Sequence, residues 1–207
     1  MTRTIMIVGN GEIAHEVAPV IDRADMVIRF NGARNFEMAG NRTDVVAVCN
    51  TGRPARAMLQ DQAWRDSVPV RDCAAIWSVR DPQKFREIKP DVLADFPDLV
   101  DFFDDYTEDF DSFSRQSGKA HNVLSAQVQD GVEEELKAYH PARYVVPSSG
   151  MVVMAHVLHD PAFAGDEIAF AGFSHQGWDG HPFDAERQLV DAYVTSGRLT
   201  RLGTLSA

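Results

Sequence analysis

Short apolar runs alternate with stretches of helical period along nearly the whole chain, and this alternation restricts the fold more than any other feature of the sequence. Runs of strand length fall at residues 4–9, 26–30, 44–49, 73–79, 142–146, 166–172 and 199–203, and helical spacing at 11–22, 54–65, 81–90, 121–138, 149–159 and 182–196. A strand followed by a helix and then another strand returns to the same sheet in parallel. The pattern therefore predicts a Rossmann-like α/β fold, a mostly parallel sheet of about seven strands with helices on both faces. With 207 residues, 44% of them hydrophobic, the chain can bury a sizeable core. Neither an internal repeat nor a Gly/Ser linker divides it, so residues 1–207 read as one domain.

Charge narrows the function classes. Twenty Lys and Arg face 31 Asp and Glu, a net charge of -11, and the basic residues form no patch. A nucleic-acid backbone would be repelled, so no nucleic-acid partner is expected. No apolar run approaches the roughly 18 residues of a membrane span, and Met1 to Val8 read as entry into a strand instead of a signal peptide. The expected location is cytoplasmic, and a homo-oligomer is compatible with the sequence. Cys49 and Cys73 sit in apolar runs without metal-ligand company and read as reduced thiols. One segment breaks the pattern: Asp91 to Asp111 holds nine acids, no Lys or Arg, and Phe96, Phe102, Phe103, Tyr106 and Phe110. Short amphipathic pieces packed on the body with their acids in water fit it best; a flap or partner surface is the alternative.

Three loops carry candidate chemistry. After the first strand, Gly9-Asn10-Gly11-Glu12-Ile13-Ala14 has the relaxed G-x-G-x-x-A spacing that lets a backbone turn tightly and approach a phosphate. The second strand ends in Arg29 and Asn31, where a dinucleotide enzyme would carry an acid for the ribose. That disfavours NAD and leaves NADP open through Arg29. Asn10 and Asn31 each follow a strand, and their amides suit a ribose or a base, unless they merely fill turns of positive φ.

The second loop is Pro147-Ser148-Ser149-Gly150, which reads as a serine-capped helix start. Free amides of Ser149, Gly150 and Met151 at such an end attract an anion without lysine or metal, although plain capping looks the same. The third runs from Gly172 to Pro182 and includes His175, Trp178 and His181. Pro182 fits the first position of a helix, which puts His181 at the N-cap, where the helix dipole would keep it neutral and able to act as a base. His175 suits a hydrogen-bond donor to a leaving phosphate. Glu186 would orient the His181 ring or an acceptor, or stand solvated on its helix. His175, His181 and Asp179 lack a spacing specific to zinc, so no metal is expected.

In order and spacing these segments resemble the motifs of sialyltransferases. The long motif corresponds to Ile7 through Gly11 and on through Ile21 to Asn31, the short motif to Pro147-Ser148-Ser149-Gly150, and the His-x4-Glu motif to His181 through Glu186. Gly172-Phe173 is similar to the family's glycine near the nucleotide, and His175 with Trp178 resembles a shortened third motif. Short bacterial relatives of this kind are sometimes labelled urease-operon accessory proteins. The resemblance implies the sialyltransferase-type variant of the GT-A fold and inverting, metal-independent transfer from a CMP-activated, sialic-acid-like sugar donor to a glycan acceptor, with no other cofactor. It implies that Asn10 and Asn31 contact the nucleotide, Ser148, Ser149 and Gly150 the phosphate and ribose, Gly172 the base region and His175 the leaving phosphate, while His181 takes the acceptor proton. A non-catalytic nucleotide-binding or accessory protein and an NADP-linked oxidoreductase are the readings kept beside it.

Overall fold

A computed structural model describes residues 2–203. Strands β1 (Thr4–Val8), β2 (Met26–Phe30), β3 (Val45–Val48), β4 (Ala75–Ser78), β5 (Ala120–Val123), β6 (Glu167–Ala171) and β7 (Thr200–Arg201) form one sheet in the order β5-β4-β3-β2-β1-β6-β7. Every neighbouring pair is parallel. The helices are α1 (Ala18–Arg23), α2 (Gly52–Gln60), α3 (Gln62–Asp66), α4 (Val68–Asp72), α5 (Pro82–Asp95), α6 (Thr107–Gln116), α7 (Ala126–Leu136), α8 (Ser149–His159) and α9 (Phe183–Thr195).

Burial explains why the central strands read as continuous apolar runs. Ile5 and Ile7 of β1 pack in one layer with Met151 to Val157 of α8 and with Ala185, Leu189 and Val190 of α9. Met6 and Val8 point the other way, onto Val17 and Ile21 beside and within α1. A further cluster on β3 and β4 joins Val46, Val48 and Ile76 to Trp64, Phe110 and Phe113 of α3 and α6. With both faces covered, these strands show no polar alternation.

Several expected elements differ: the helix expected over 11–22 begins only at Ala18, and the one expected over 54–65 is divided into α2 and α3. Residues 142–146 form no strand: Val145 and Val146 are buried against Phe85 and Phe103, and both their amides donate to the Gly180 carbonyl at 2.8 and 3.3 Å. Their apolar character serves a satellite cluster, and their hydrogen bonds hold the loop that leads to His181. Conversely, the helix expected over 121–138 starts only at Ala126, because Ala120-His121-Asn122-Val123 is the edge strand β5. That strand is largely exposed and polar, so no apolar pattern marks it. Asp91 to Asp111 is built as expected from short pieces, the end of α5, a 3-10 segment Pro97–Phe103 and the start of α6, with Phe103 and Phe110 buried. Cys49 and Cys73 are both free thiols. Among the described residues no helix is long and apolar enough to cross a membrane.

The strand order reverses between β1 and β6. From β1 the chain steps outward through β2 to β5, then returns to place β6 on the other side of β1. In open parallel sheets the loops at the carboxyl ends of such strands part and leave a crevice, the usual place for a ligand. Here the two loops also touch. The Gly9 amide donates to Ala171 O and the Gly11 amide to Gly172 O, each at 2.8 Å, and a Cβ added to Gly9 would overlap the Gly172 carbonyl. Gly9→Ala is therefore expected to cost about 1–3 kcal/mol and to lower Tm by several degrees. Gly131→Ala, in α7 with open space around it, is expected to raise stability by up to about 1 kcal/mol. Chemical denaturation of both variants checks the pair; a neutral Gly9→Ala would contradict the contact.

Candidate active site

All eleven residues singled out in the sequence, Gly9, Asn10, Gly11, Asn31, Ser148, Ser149, Gly150, Gly172, His175, His181 and Glu186, line one cleft of about 410 Å³ at this switch point. Its size suits a nucleotide-sized ligand. The parts are positioned differently from expectation in several respects.

The glycine turn holds the loops together, and the Gly9 and Gly11 amides are spent on Ala171 and Gly172 and not offered to a phosphate. No helix starts there either; α1 begins at Ala18, after a 3-10 turn at His15–Val17. Asn10 is a bracket: its Nδ2 donates to Phe30 O at 3.1 Å, and its Oδ1 accepts from the Arg34 amide at 2.9 Å. Asn31 adopts φ 50°, and its Oδ1 accepts from the Cys49 amide at 2.9 Å. Its Nδ2 is the amide end left for a ligand. Arg29, held open for an NADP phosphate, is 1% exposed and gives its guanidinium to the carbonyls of Ala39, Gly40 and Arg42. It cannot serve a 2′-phosphate without being dug out of the core. Burial lowers its pKa to about 10.

At the start of α8, Ser148 is the N-cap, and its Oγ accepts from the Met151 amide at 3.2 Å. The first-turn amides of Ser149 and Gly150 have no intrahelical acceptor, and both residues line the cleft. Gly150 has no room for a side chain, because a Cβ would stand 2.5 Å from the Phe173 ring. Met151, expected to be free, is the capped one.

Glu186 neither orients the His181 ring nor stands in solvent. It is 1% exposed, and its two carboxylate oxygens accept from the Ser148 amide and the Ser148 hydroxyl, each at 2.6 Å. Burial raises its pKa, opposed by the Ser148 hydrogen bonds and by the charge of Arg80. Arg80 is itself 1% exposed and donates through Nη2 to Pro147 O at 2.8 Å. Pro147 to Gly150 is thus held by a buried anion and a buried cation.

His181 lies one residue earlier than expected, since Pro182 is the cap of α9. Its Nδ1 stands 2.8 Å from Val146 O. A carbonyl only accepts, so Nδ1 carries the hydrogen and Nε2 keeps its lone pair. The ring sits edge-on to Trp178 and Phe183, with centroids 4.9 and 5.3 Å away. Its pKa falls to about 4, chiefly through burial and further through Arg80, against the Val146 hydrogen bond. Neutrality thus follows as expected, but from desolvation instead of the helix dipole. His175, at φ 50°, has a buried Nε2 without a hydrogen-bond partner and a pKa lowered first by burial, then by Arg201. An orphan nitrogen in the wall of a cleft is a place for a ligand hydrogen bond. Among the described residues no three His, Cys, Asp or Glu side chains gather as metal ligands.

Three further residues shape the site without having been singled out. Asn35 donates from Nδ2 to both Gly9 O at 2.8 Å and Gly11 O at 2.6 Å, clamping the turn. Nothing in the sequence separates it from neighbouring asparagines. Arg80 directly follows the fourth apolar run, a charged residue at the carboxyl edge of the sheet, and that position was the available signal. Arg34 also lines the cleft.

The fold is that of an α/β protein with the architecture of the sialyltransferases. A mammalian sialyltransferase crystal structure superposes on 99% of this chain and 70% of its own, with a TM-score of 0.59 at 16% identity. The sialyltransferase CstII from Campylobacter jejuni, in complex with the substrate analogue CMP-3FNeuAc, covers 98% of this chain and 82% of its own, with a TM-score of 0.48 at 14% identity. No family model matches the chain. It belongs to the family of the urease operon 23 kDa accessory protein of Rhizobium meliloti (strain 1021), to which it is 48% identical over 200 residues, 97% of this chain and 93% of the relative.

The His181 environment sets a sign that can be measured. Its folded pKa lies below the unfolded value of about 6.5, so the unfolded chain takes up the proton first. Stability from this group is complete above about pH 6.5 and is lost as pH falls toward 4; His156 and His175, also lowered by burial, act in the same direction. An NMR titration of the His181 ring is expected to show a midpoint near 4, and a midpoint near 6.5 would contradict the buried, carbonyl-held geometry.

Proposed function

We propose that this protein is an inverting glycosyltransferase that needs no metal and uses a CMP-activated, sialic-acid-like sugar. The observation that carries the reading is the meeting in one cleft of a neutral imidazole with a free Nε2, an unpartnered buried His175 nitrogen and the open amides at the start of α8. In the reaction an acceptor hydroxyl approaches Nε2 of His181, which takes its proton as the oxygen bonds to the anomeric carbon. The bond from that carbon to the phosphate oxygen breaks, and its electron pair leaves on CMP. Negative charge grows on the phosphate as the sugar becomes cationic in character, so fixed donors aimed at the phosphate lower the barrier more than they stabilise the bound substrate. Ser149, Gly150 and His175 are those donors, and Asn31 binds the nucleotide through Nδ2. Glu186 and Arg80 are positioning residues that hold the phosphate-binding turn in place. Localisation in the cytoplasm goes with this reading.

A second reading keeps the cleft but not the transfer: a nucleotide-binding accessory protein. The name of the Rhizobium meliloti relative favours it. The two part in one experiment. With CMP-sialic acid and a panel of hydroxyl acceptors, His181→Ala is expected to lower turnover by about 10²–10⁴-fold while CMP affinity, read by calorimetry, stays within about twofold. Unchanged turnover would overturn the role of His181. Wild-type protein that binds CMP yet neither transfers nor hydrolyses the donor would select the accessory reading.

A further inference from the structure

Among the described residues Arg34 is the only Lys or Arg in the lining of the cleft. Arg34 is exposed and forms no ion pair among the described residues; Arg23, Arg56 and Arg86 are also exposed and unpaired, but they stand outside the cleft. Its backbone is held firmly. The Arg34 amide donates to Asn10 Oδ1 at 2.9 Å, and the next residue, Asn35, is clamped to Gly9 and Gly11. Around it Asn31, Ala33 and Glu37 take left-handed conformations with φ of 50°, 46° and 72°. Such residues cost stability and persist where surrounding contacts over-determine them, often beside a ligand. The loop thus fixes the backbone from which an unpaired guanidinium reaches the wall of the cleft.

We propose that Arg34 reads a second negative charge on the donor, the carboxylate of an acidic sugar, and so sets the donor class. This rests on the function proposed above. The phosphate already has the Ser149 and Gly150 amides and His175, and the other charged residue of the cleft, Glu186, is an anion spent on Ser148. A chain of net charge -11 repels a further anion unless a cation meets it locally. The planar fork of arginine matches a carboxylate with two parallel hydrogen bonds, which an ammonium does not reproduce.

The test is calorimetry on wild type, Arg34→Gln and Arg34→Lys with three probes: cytidine, CMP, and a CMP-linked acidic sugar fluorinated beside the anomeric carbon to resist turnover. Arg34→Gln is expected to reduce the affinity gain from CMP to the CMP-sugar by about tenfold, to leave the gain from cytidine to CMP unchanged, and to melt like the wild type. Arg34→Lys is expected to fall between. Equal losses for CMP and the CMP-sugar would assign Arg34 to the phosphate, and no loss for either would make it a solvated side chain; both results overturn the proposal. Wild type that binds no cytidine ligand would instead reject the proposed function, and this inference with it.

Discussion

The site exists because two turns are pressed together where the strand order reverses. The loop after β1 and the loop after β6 meet backbone to backbone at Gly9, Gly11 and Gly172, closer than any side chain permits. Gly172 takes φ 75° to turn its carbonyl inward, and Asn35 locks the other side of the contact from the loop after β2. Three successive strand ends are thereby fixed relative to one another. From this platform Asn31 and His175 line the cleft, and Asn31 is held further by the Cys49 amide.

The second half of the site is held by charge. Pro147 to Gly150 would be an ordinary capped helix start if it stood alone. It is instead wedged between Glu186, which reaches across from α9 to grip Ser148, and Arg80, which reaches from the end of β4 to Pro147. Burying two opposite charges is costly unless each finds hydrogen bonds; Ser148 satisfies Glu186, whereas Arg80 donates only from Nη2 to Pro147 and leaves Nε and Nη1 without a partner among the described residues. The same segment fixes His181, because Val146 O holds its ring while the Val145 and Val146 amides hold Gly180. One short irregular stretch therefore positions both the first-turn amides of α8 and the imidazole. In a strongly acidic chain, the anion binding proposed for this cleft would rest on local dipoles and on Arg34, and not on overall charge.

Much of this was legible in the sequence, and the reasons are specific. Strands buried on both faces announce themselves as unbroken apolar runs, as in Ile5-Met6-Ile7-Val8, and α8 was bounded correctly because small capping residues precede a continuous apolar helix. The candidate residues were found together because parallel sheets put their loops at one edge. What escaped depends on tertiary partners. The β5 strand is a polar edge, and Val145-Val146 reads like a strand but feeds a side cluster. Asn10 and Glu186 were expected to face ligand or histidine, yet both are consumed by backbone and side-chain groups of the protein. A polar residue at the right place in the chain does not declare which neighbour will claim it.

Loops from three strand ends and the start of α8 converge on one cleft, where the proposed function puts a cytidine ligand. A crystal structure of the protein with CMP tests it most directly. The expected result has the phosphate within hydrogen-bonding distance of the Ser149 and Gly150 amides, the nucleotide against Asn31, and Nε2 of His181 facing the open position beside the phosphate. CMP bound elsewhere, or in this cleft with its phosphate away from the start of α8, would contradict the account.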